Sequence, residues 1–144
     1  MVSNENALDD LAHAVLGACI EVHRHLGPGL LESAYEECLC HELRLRNIPF
    51  ERQVPLPITY KAIKLDAGYR LDLVVDGRII LELKACDHVP KVAQAQLLSY
   101  LRLTGLTLGY LVNFHAYRLT EGIQRLVLGH PEPPSPPRSP RSLR

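Results

Sequence analysis

No stretch of this chain approaches the ~20 consecutive apolar residues that a membrane helix requires, so no membrane span and no membrane partner are expected. The opening residues, Met1-Val2-Ser3-Asn4-Glu5-Asn6, lack the basic n-region and apolar h-region of a secretory signal. A cytoplasmic location is the expectation. Net charge is also missing: 16 Lys and Arg balance 16 Asp and Glu. That argues against an overall electrostatic grip on nucleic acid, though not against a local basic groove. Without residues 131–144 the body keeps 13 basic and 15 acidic side chains, a slight acidic excess. The four cysteines, Cys19, Cys38, Cys40 and Cys86, include no C-x-x-C pair of the zinc or redox kind. Cys38 and Cys40 stand two apart on an expected helix and so point to different sides. Buried free thiols in a reducing compartment are expected. No internal repeat is present.

What remains is one domain's worth of chain, 144 residues with 47% hydrophobic and 22% charged side chains. Leu8, Leu11, Val15, Cys19, Val22 and Leu26 recur every three or four residues and predict an amphipathic helix over 8–26. Gly27-Pro28-Gly29 ends it. A second helix is expected over 30–46, stopped by Asn47 and Pro49, with Glu32, Tyr35 and Leu39 on one face. Residues 50–66 read as a pair of strands, the first an edge strand because of Pro55 and Pro57. A hairpin follows over 69–84. A third helix fits 89–104, between Pro90 and Gly105. Strands are expected over 106–114 and 123–128. The single folded domain is placed at 1–129. The last residues, 130–144, are dominated by Pro, Ser and Arg and are expected to be disordered. The order points to an α/β layered domain.

The hairpin carries the chemistry. Leu71, Leu73, Val75, Ile79, Leu81 and Leu83 are apolar at every odd position, whereas Asp72, Glu82 and Lys84 fall on even positions. A two-residue loop at Asp76-Gly77 would mix charged and apolar side chains on both faces. A three-residue loop over 75–77, with Gly77 in a left-handed bulge, separates them. It pairs Val74 with Arg78, Asp72 with Ile80 and Arg70 with Glu82. Asp72 and Glu82 then become diagonal neighbours, roughly 7–8 Å apart at the backbone. Two carboxylates on one face suit a hard Mg²⁺ or Mn²⁺ ion. Such an ion acidifies water and stabilises charge on phosphate oxygens. Lys84 is placed to orient the water or neutralise the developing anion. The plainer alternative is a solvated hairpin face with a surface Arg70–Glu82 pair.

Other residues narrow the choice. Gly29-Leu30-Leu31-Glu32-Ser33-Ala34-Tyr35 forms a G-x-x-E-x-x-Y motif. Asp72, then Glu82-Leu83-Lys84, then Gln96 and Tyr100 in a Q-x-x-x-Y spacing follow in order. Together, over residues 8–115, these resemble the GxxExxY family of the PD-(D/E)XK nuclease superfamily, in its RecB-like branch. The resemblance implies a mixed central β-sheet flanked by helices, a restriction-endonuclease-like core. It implies a Mg²⁺- or Mn²⁺-dependent nuclease acting on DNA, with Asp72, Glu82 and Glu32 as metal ligands and Lys84 as the catalytic lysine. Gln96 and Tyr100 would line the site and contact substrate. Tyr35, one turn from Glu32, is grouped with the substrate contacts and would hold that helix in position. Arg70 is a substrate candidate from its place in the sequence rather than from the resemblance. His88 and Lys91, after the Glu-x-Lys strand, are further phosphate candidates. The proline usual before the first aspartate is replaced by Leu71. A small core leaves little room for a recognition domain, so a homodimer or a protein partner is expected. The competing reading is a nucleic-acid- or protein-binding module on the same fold without catalysis.

Overall fold

The computed structural model describes residues 4–129; the expectation for 130–144 lies outside the described residues. The apolar stripe of the first segment makes α1 (Asn4–Leu26), starting earlier than the periodicity indicated. Its buried side includes Ala12, Val15, Ala18, Cys19 and Val22. Gly27, at φ +68, closes it by donating its N–H to the carbonyl of His23. An L side chain pays a steric penalty at that φ and glycine does not. α2 (Glu32–Leu45) ends with Asn47 at φ +58 and with the Ile48 N–H on the carbonyl of Leu43. α3 (Lys91–Thr104) runs between Pro90 and a left-handed Gly105.

The strands are β1 (Phe50–Pro55), β2 (Ile58–Tyr60), β3 (Ile63–Leu65), β4 (Arg70–Val75), β5 (Ile79–Lys84), β6 (Leu108–Asn113) and β7 (Ile123–Val127). Residues 50–66 thus form three strands rather than two. β2 and β3 pair with each other in a separate small hairpin. The main sheet has the order β1-β4-β5-β6-β7, with β1 at the edge, where its Pro55 costs no ladder bond. β5 and β6 are parallel and the other neighbours antiparallel. This parallel pair is buried on both faces, as its near-continuous apolar sequence requires.

One face of the sheet packs Leu73, Val75, Ile79, Leu81, Leu83 and Val112 against α1 and α2. The other packs Leu71, Ile80 and Leu111 against Ala93, Leu97, Tyr100 and Leu101 of α3. The architecture is therefore helix, mixed sheet, helix, in agreement with the expected fold class.

The hairpin register differs from the expected one by two residues. Val75 pairs with Ile79, Val74 with Ile80 and Leu73 with Leu81. The loop is Asp76-Gly77-Arg78, with Asp76 at φ +52 and Gly77 at φ +62. The reason is burial. Val75 and Ile79 are both fully buried, and the expected loop would have put Val75 in the turn. Both loops have three residues, so the division of faces survives from Leu73 to Leu83, while Leu71 lies on the opposite, α3 side. Continuing the observed register sets Asp72 opposite Glu82 rather than diagonal to it.

β1 and β4 also change faces along their length. Phe50, Leu73 and Val75 pack toward α1 and α2, whereas Val54 and Leu71 pack toward α3. The switch falls at Gln53 and Asp72. Gln53 has φ +52, and no bridge joins it to Asp72 although both flanking pairs are formed. A left-handed residue rotates the strand about its axis, which sends the next side chain to the opposite face.

Candidate active site

The break in the ladder is where the predicted residues gather. Past Leu73 and Leu81 the β4–β5 pairing stops. There the N–H of Leu83 donates to Asp72 Oδ2 at 2.8 Å. A side-chain carboxylate thus takes a bond that a continued ladder would give to the β4 backbone. Gln53 Nε2 donates to Asp72 Oδ1 at 3.5 Å and to Glu36 Oε1 at 2.7 Å, tying β1 and α2 to the site. Glu36 is also held by Arg52 at 2.5 Å, and Arg52 reaches Glu37 at 2.9 Å.

Glu82 is 8% exposed, so the solvated-face alternative does not hold for it. Burial, then the adjacent Asp72 charge, pushes its carboxyl up from 4.5 to about 9. The Asp72 carboxyl and the Asp72 N–H both bond to it, and Lys84 pulls weakly in the opposite direction. Two carboxyls hydrogen-bond to each other only when one carries a proton. Glu82 is the raised member, so the pair keeps this proton into the neutral range. Its Oε1 is nonetheless buried with no hydrogen-bond partner. An orphaned buried carboxylate oxygen is costly and is uncommon outside functional sites.

Glu32, exposed at the first turn of α2, has its carboxyl raised by desolvation first and by Asp72 second; Lys84 lowers it and Glu36 adds to the rise. Two layers of the fold thus place acids around Asp72. Lys84, half-buried at the end of β5, lies beside Asn113 of β6. From the α3 side, Tyr100 is buried and its hydroxyl is pushed up by burial, then by the charges of Glu82, Tyr69 and Asp72. Gln96 bonds to that hydroxyl, and Tyr69 meets the Tyr100 ring edge-on at 6.3 Å. Arg70 is exposed at the start of β4.

Asp72 and Lys84 therefore act electrostatically on both Glu32 and Glu82, and Tyr100, held by Gln96, feels Glu82 and Asp72 from the α3 side. Tyr35 is corrected. It is 0% exposed and has no surface to offer substrate. Its hydroxyl donates to the Gly27 carbonyl at 2.5 Å and accepts the Leu30 N–H at 3.1 Å. Its ring stacks on Phe114 at 4.6 Å. It pins the Gly-Pro-Gly turn and, with it, the start of α2. Among the cysteines, Cys19 and Cys40 are buried, but Cys38 is exposed. Burial pushes the Cys19 thiol up to about 12, which leaves it inert. Sequence reasoning missed Gln53 and Glu36. Glu36 stood one turn from Glu32 on the same helical face; nothing local marked Gln53.

No group of three or more His, Cys, Asp or Glu is preassembled around an ion position among the described residues. The Asp72–Glu82 pair still fits a hard cation: it offers oxygen donors, one of them without a partner, and holds a proton where a cation would relieve like-charge repulsion.

A mixed sheet between helices, bearing an Asp on one strand and Glu-x-Lys on the next, defines the nuclease-like class of α/β domains. The family model of the PD-(D/E)XK nuclease superfamily matches residues 9–126, and the chain belongs to that superfamily. No curated protein and no solved structure matches the chain.

Proposed function

We propose that this protein is a divalent-metal-dependent nuclease that hydrolyses phosphodiester bonds in DNA. The observation that carries the reading is the half-buried Asp72 set against the buried Glu82, whose Oε1 has no partner. Superfamily membership supports a nuclease; the metal, the DNA substrate and the residue roles are our inference from the chemistry of the site. The motifs at Glu32 and at Gln96 with Tyr100 lead us to place the chain in the GxxExxY group and its RecB-like branch.

Asp72 and Glu82 would hold Mg²⁺ or Mn²⁺, with Glu32 as the third acid. When bound, the ion supplies a water of lowered pKa and charge stabilisation at the phosphate. The chain's own residues do the rest. The Leu83 N–H fixes the Asp72 carboxylate in orientation. Gln53 holds it from the other side. Lys84 donates a proton or a hydrogen bond to the attacking or departing oxygen. Gln96 and Tyr100 present amide and hydroxyl groups to the substrate backbone, and Arg70 adds positive charge at the rim. The expected homodimer or protein partner would complete substrate recognition.

The test is cleavage of labelled single- and double-stranded DNA with Mg²⁺, Mn²⁺ or EDTA. Asp72→Ala and Lys84→Ala should each lower the metal-dependent rate at least a hundredfold, with the fold intact by circular dichroism. Cleavage unaffected by either change would overturn the site assignment. Metal binding without cleavage would favour a binding module on the same fold.

A further inference from the structure

The β2–β3 hairpin is not used by the chemistry described so far. It has three residues per strand, pairing Ile58 with Leu65, Thr59 with Lys64 and Tyr60 with Ile63. Side chains alternate across a strand, so Ile58, Tyr60, Ile63 and Leu65 share one face. Tyr60 is 60%, Ile63 58% and Leu65 47% exposed. An isolated two-stranded ribbon is marginal in water. A ribbon with an open apolar face lacks the burial that would hold it. Cations lie around the ribbon, Lys61 at its tip and Lys64, which pairs with Thr59, on the reverse face. Lys61 sits in the tight turn at φ +52, with its ammonium 5.4 Å from the centre of the Tyr60 ring. Residues 58–70 hold Lys61, Lys64 and Arg70 against one acid, Asp66, in a chain of zero net charge.

The hairpin is rooted at the active site. Pro55 pairs with Arg70, and the Leu56 N–H bonds to the carbonyl of Tyr69. Tyr69 packs against Tyr100, which feels the charges of Glu82 and Asp72.

From this surface we propose that the β2–β3 hairpin is a nucleic-acid arm that grips an unpaired segment of the substrate. Tyr60, Ile63 and Leu65 meet exposed base faces, while Lys61 at the tip and Lys64 on the reverse face of the thin ribbon meet phosphates of the strand that wraps it. The inference rests on the nuclease reading and names the form of its substrate. Three arguments select this occupant. The cations complement a phosphate chain. An apolar ladder needs base faces, which a duplex hides in its stack and a single strand exposes. A second copy is the poorer fit, because four side chains present on the order of 300–400 Å², well short of the ~800 Å² per partner of a stable dimer.

The experiment is fluorescence anisotropy in EDTA, with a labelled oligothymidine of about 20 nucleotides and a duplex of equal length, alongside cleavage in Mn²⁺. Tyr60→Ala and the pair Lys61→Glu, Lys64→Glu are compared with wild type, and thermal melting checks the fold. The wild type should prefer the single strand. Tyr60→Ala should weaken that binding roughly 5- to 100-fold, the range for loss of one base stack. Each lysine removed should lower the slope of log affinity against log salt by about 0.7. Binding and cleavage equal to wild type in both variants would overturn the arm and leave the nuclease standing. Hairpin-dependent binding without metal-dependent cleavage would support the arm and sink the nuclease. A wild type that neither binds nor cuts would refute both. Dissociation of a dimer by Tyr60→Ala, seen by sedimentation, would make the face a self-association surface and overturn the proposal.

Discussion

The proton on Glu82 makes a quantitative demand on stability. Its carboxyl rises from 4.5 in the unfolded chain to about 9 in the fold. A raised acid favours the fold in its protonated form. The contribution is full below pH 4.5 and is lost as pH climbs toward 9. At ~1.4 kcal/mol per pH unit, the metal-free protein should lose up to about 4 kcal/mol between pH 5 and pH 8. That is a large part of a typical domain's 5–15 kcal/mol. The assay is urea denaturation in EDTA across this range, on wild type and Glu82→Gln. The variant keeps the shape and has no proton to lose, so it should be the more stable form at pH 8, with the difference shrinking toward pH 5. Glu32, raised mainly by desolvation, adds a smaller slope of the same sign to both proteins, and the comparison cancels it. Excess Mn²⁺ should flatten the wild-type curve and stabilise more at pH 8 than at pH 5, because the ion replaces the proton. Parallel curves for the two proteins would refute both the buried proton and its role as a stand-in for a cation.

Tyr35→Phe should cost about 1–3 kcal/mol in chemical denaturation, since it leaves the Gly27 carbonyl and the Leu30 N–H unpaired. Tyr35→Ala, which also removes the Phe114 stack, should cost about 3–5 kcal/mol. Gln53→Ala should slow metal-dependent cleavage roughly tenfold through a looser Asp72, while melting shifts little; unchanged rates would show that Gln53 plays no positioning part. A Cβ at Gly122 would stand 2.5 Å from the Asn113 carbonyl oxygen and 2.8 Å from the Ala116 Cβ, so Gly122→Ala should cost about 1–3 kcal/mol, read from the denaturation midpoint.

How much of this was legible differs from element to element, for physical reasons. Odd-even alternation carried the division of faces from Leu73 to Leu83, because parity survives any three-residue loop; it failed at Leu71, which the break at Gln53 and Asp72 turns to the α3 side. It did not carry the register, which turned on whether Val75 or Arg78 belongs in the turn, a question settled by burial against α1 and α2. Asp72, Glu82 and Lys84 were readable because charges within strong strands are expensive without a task. Tyr35 was readable as important but not as buried: the motif spacing is the same whether the ring faces substrate or Phe114. Gln53 left no local trace. Its left-handed φ is imposed by the face change of β1, a tertiary demand that overrides any preference of a glutamine. The exposed face of the β2–β3 hairpin was hidden because residues 50–66 read as a single pair of strands.

The Leu83 amide has a use of its own. Its proton rests on a side-chain carboxylate, Asp72 Oδ2, rather than on a backbone carbonyl. Its nuclear magnetic resonance frequency and its exchange with solvent therefore report directly on what Asp72 holds. Protonation weakens the acceptor; a cation shares its electrons; removal of the carboxylate frees the N–H to water. A single backbone signal in the isotope-labelled protein, needing no substrate, reads the occupancy of the site while the rest of β5 serves as an internal reference.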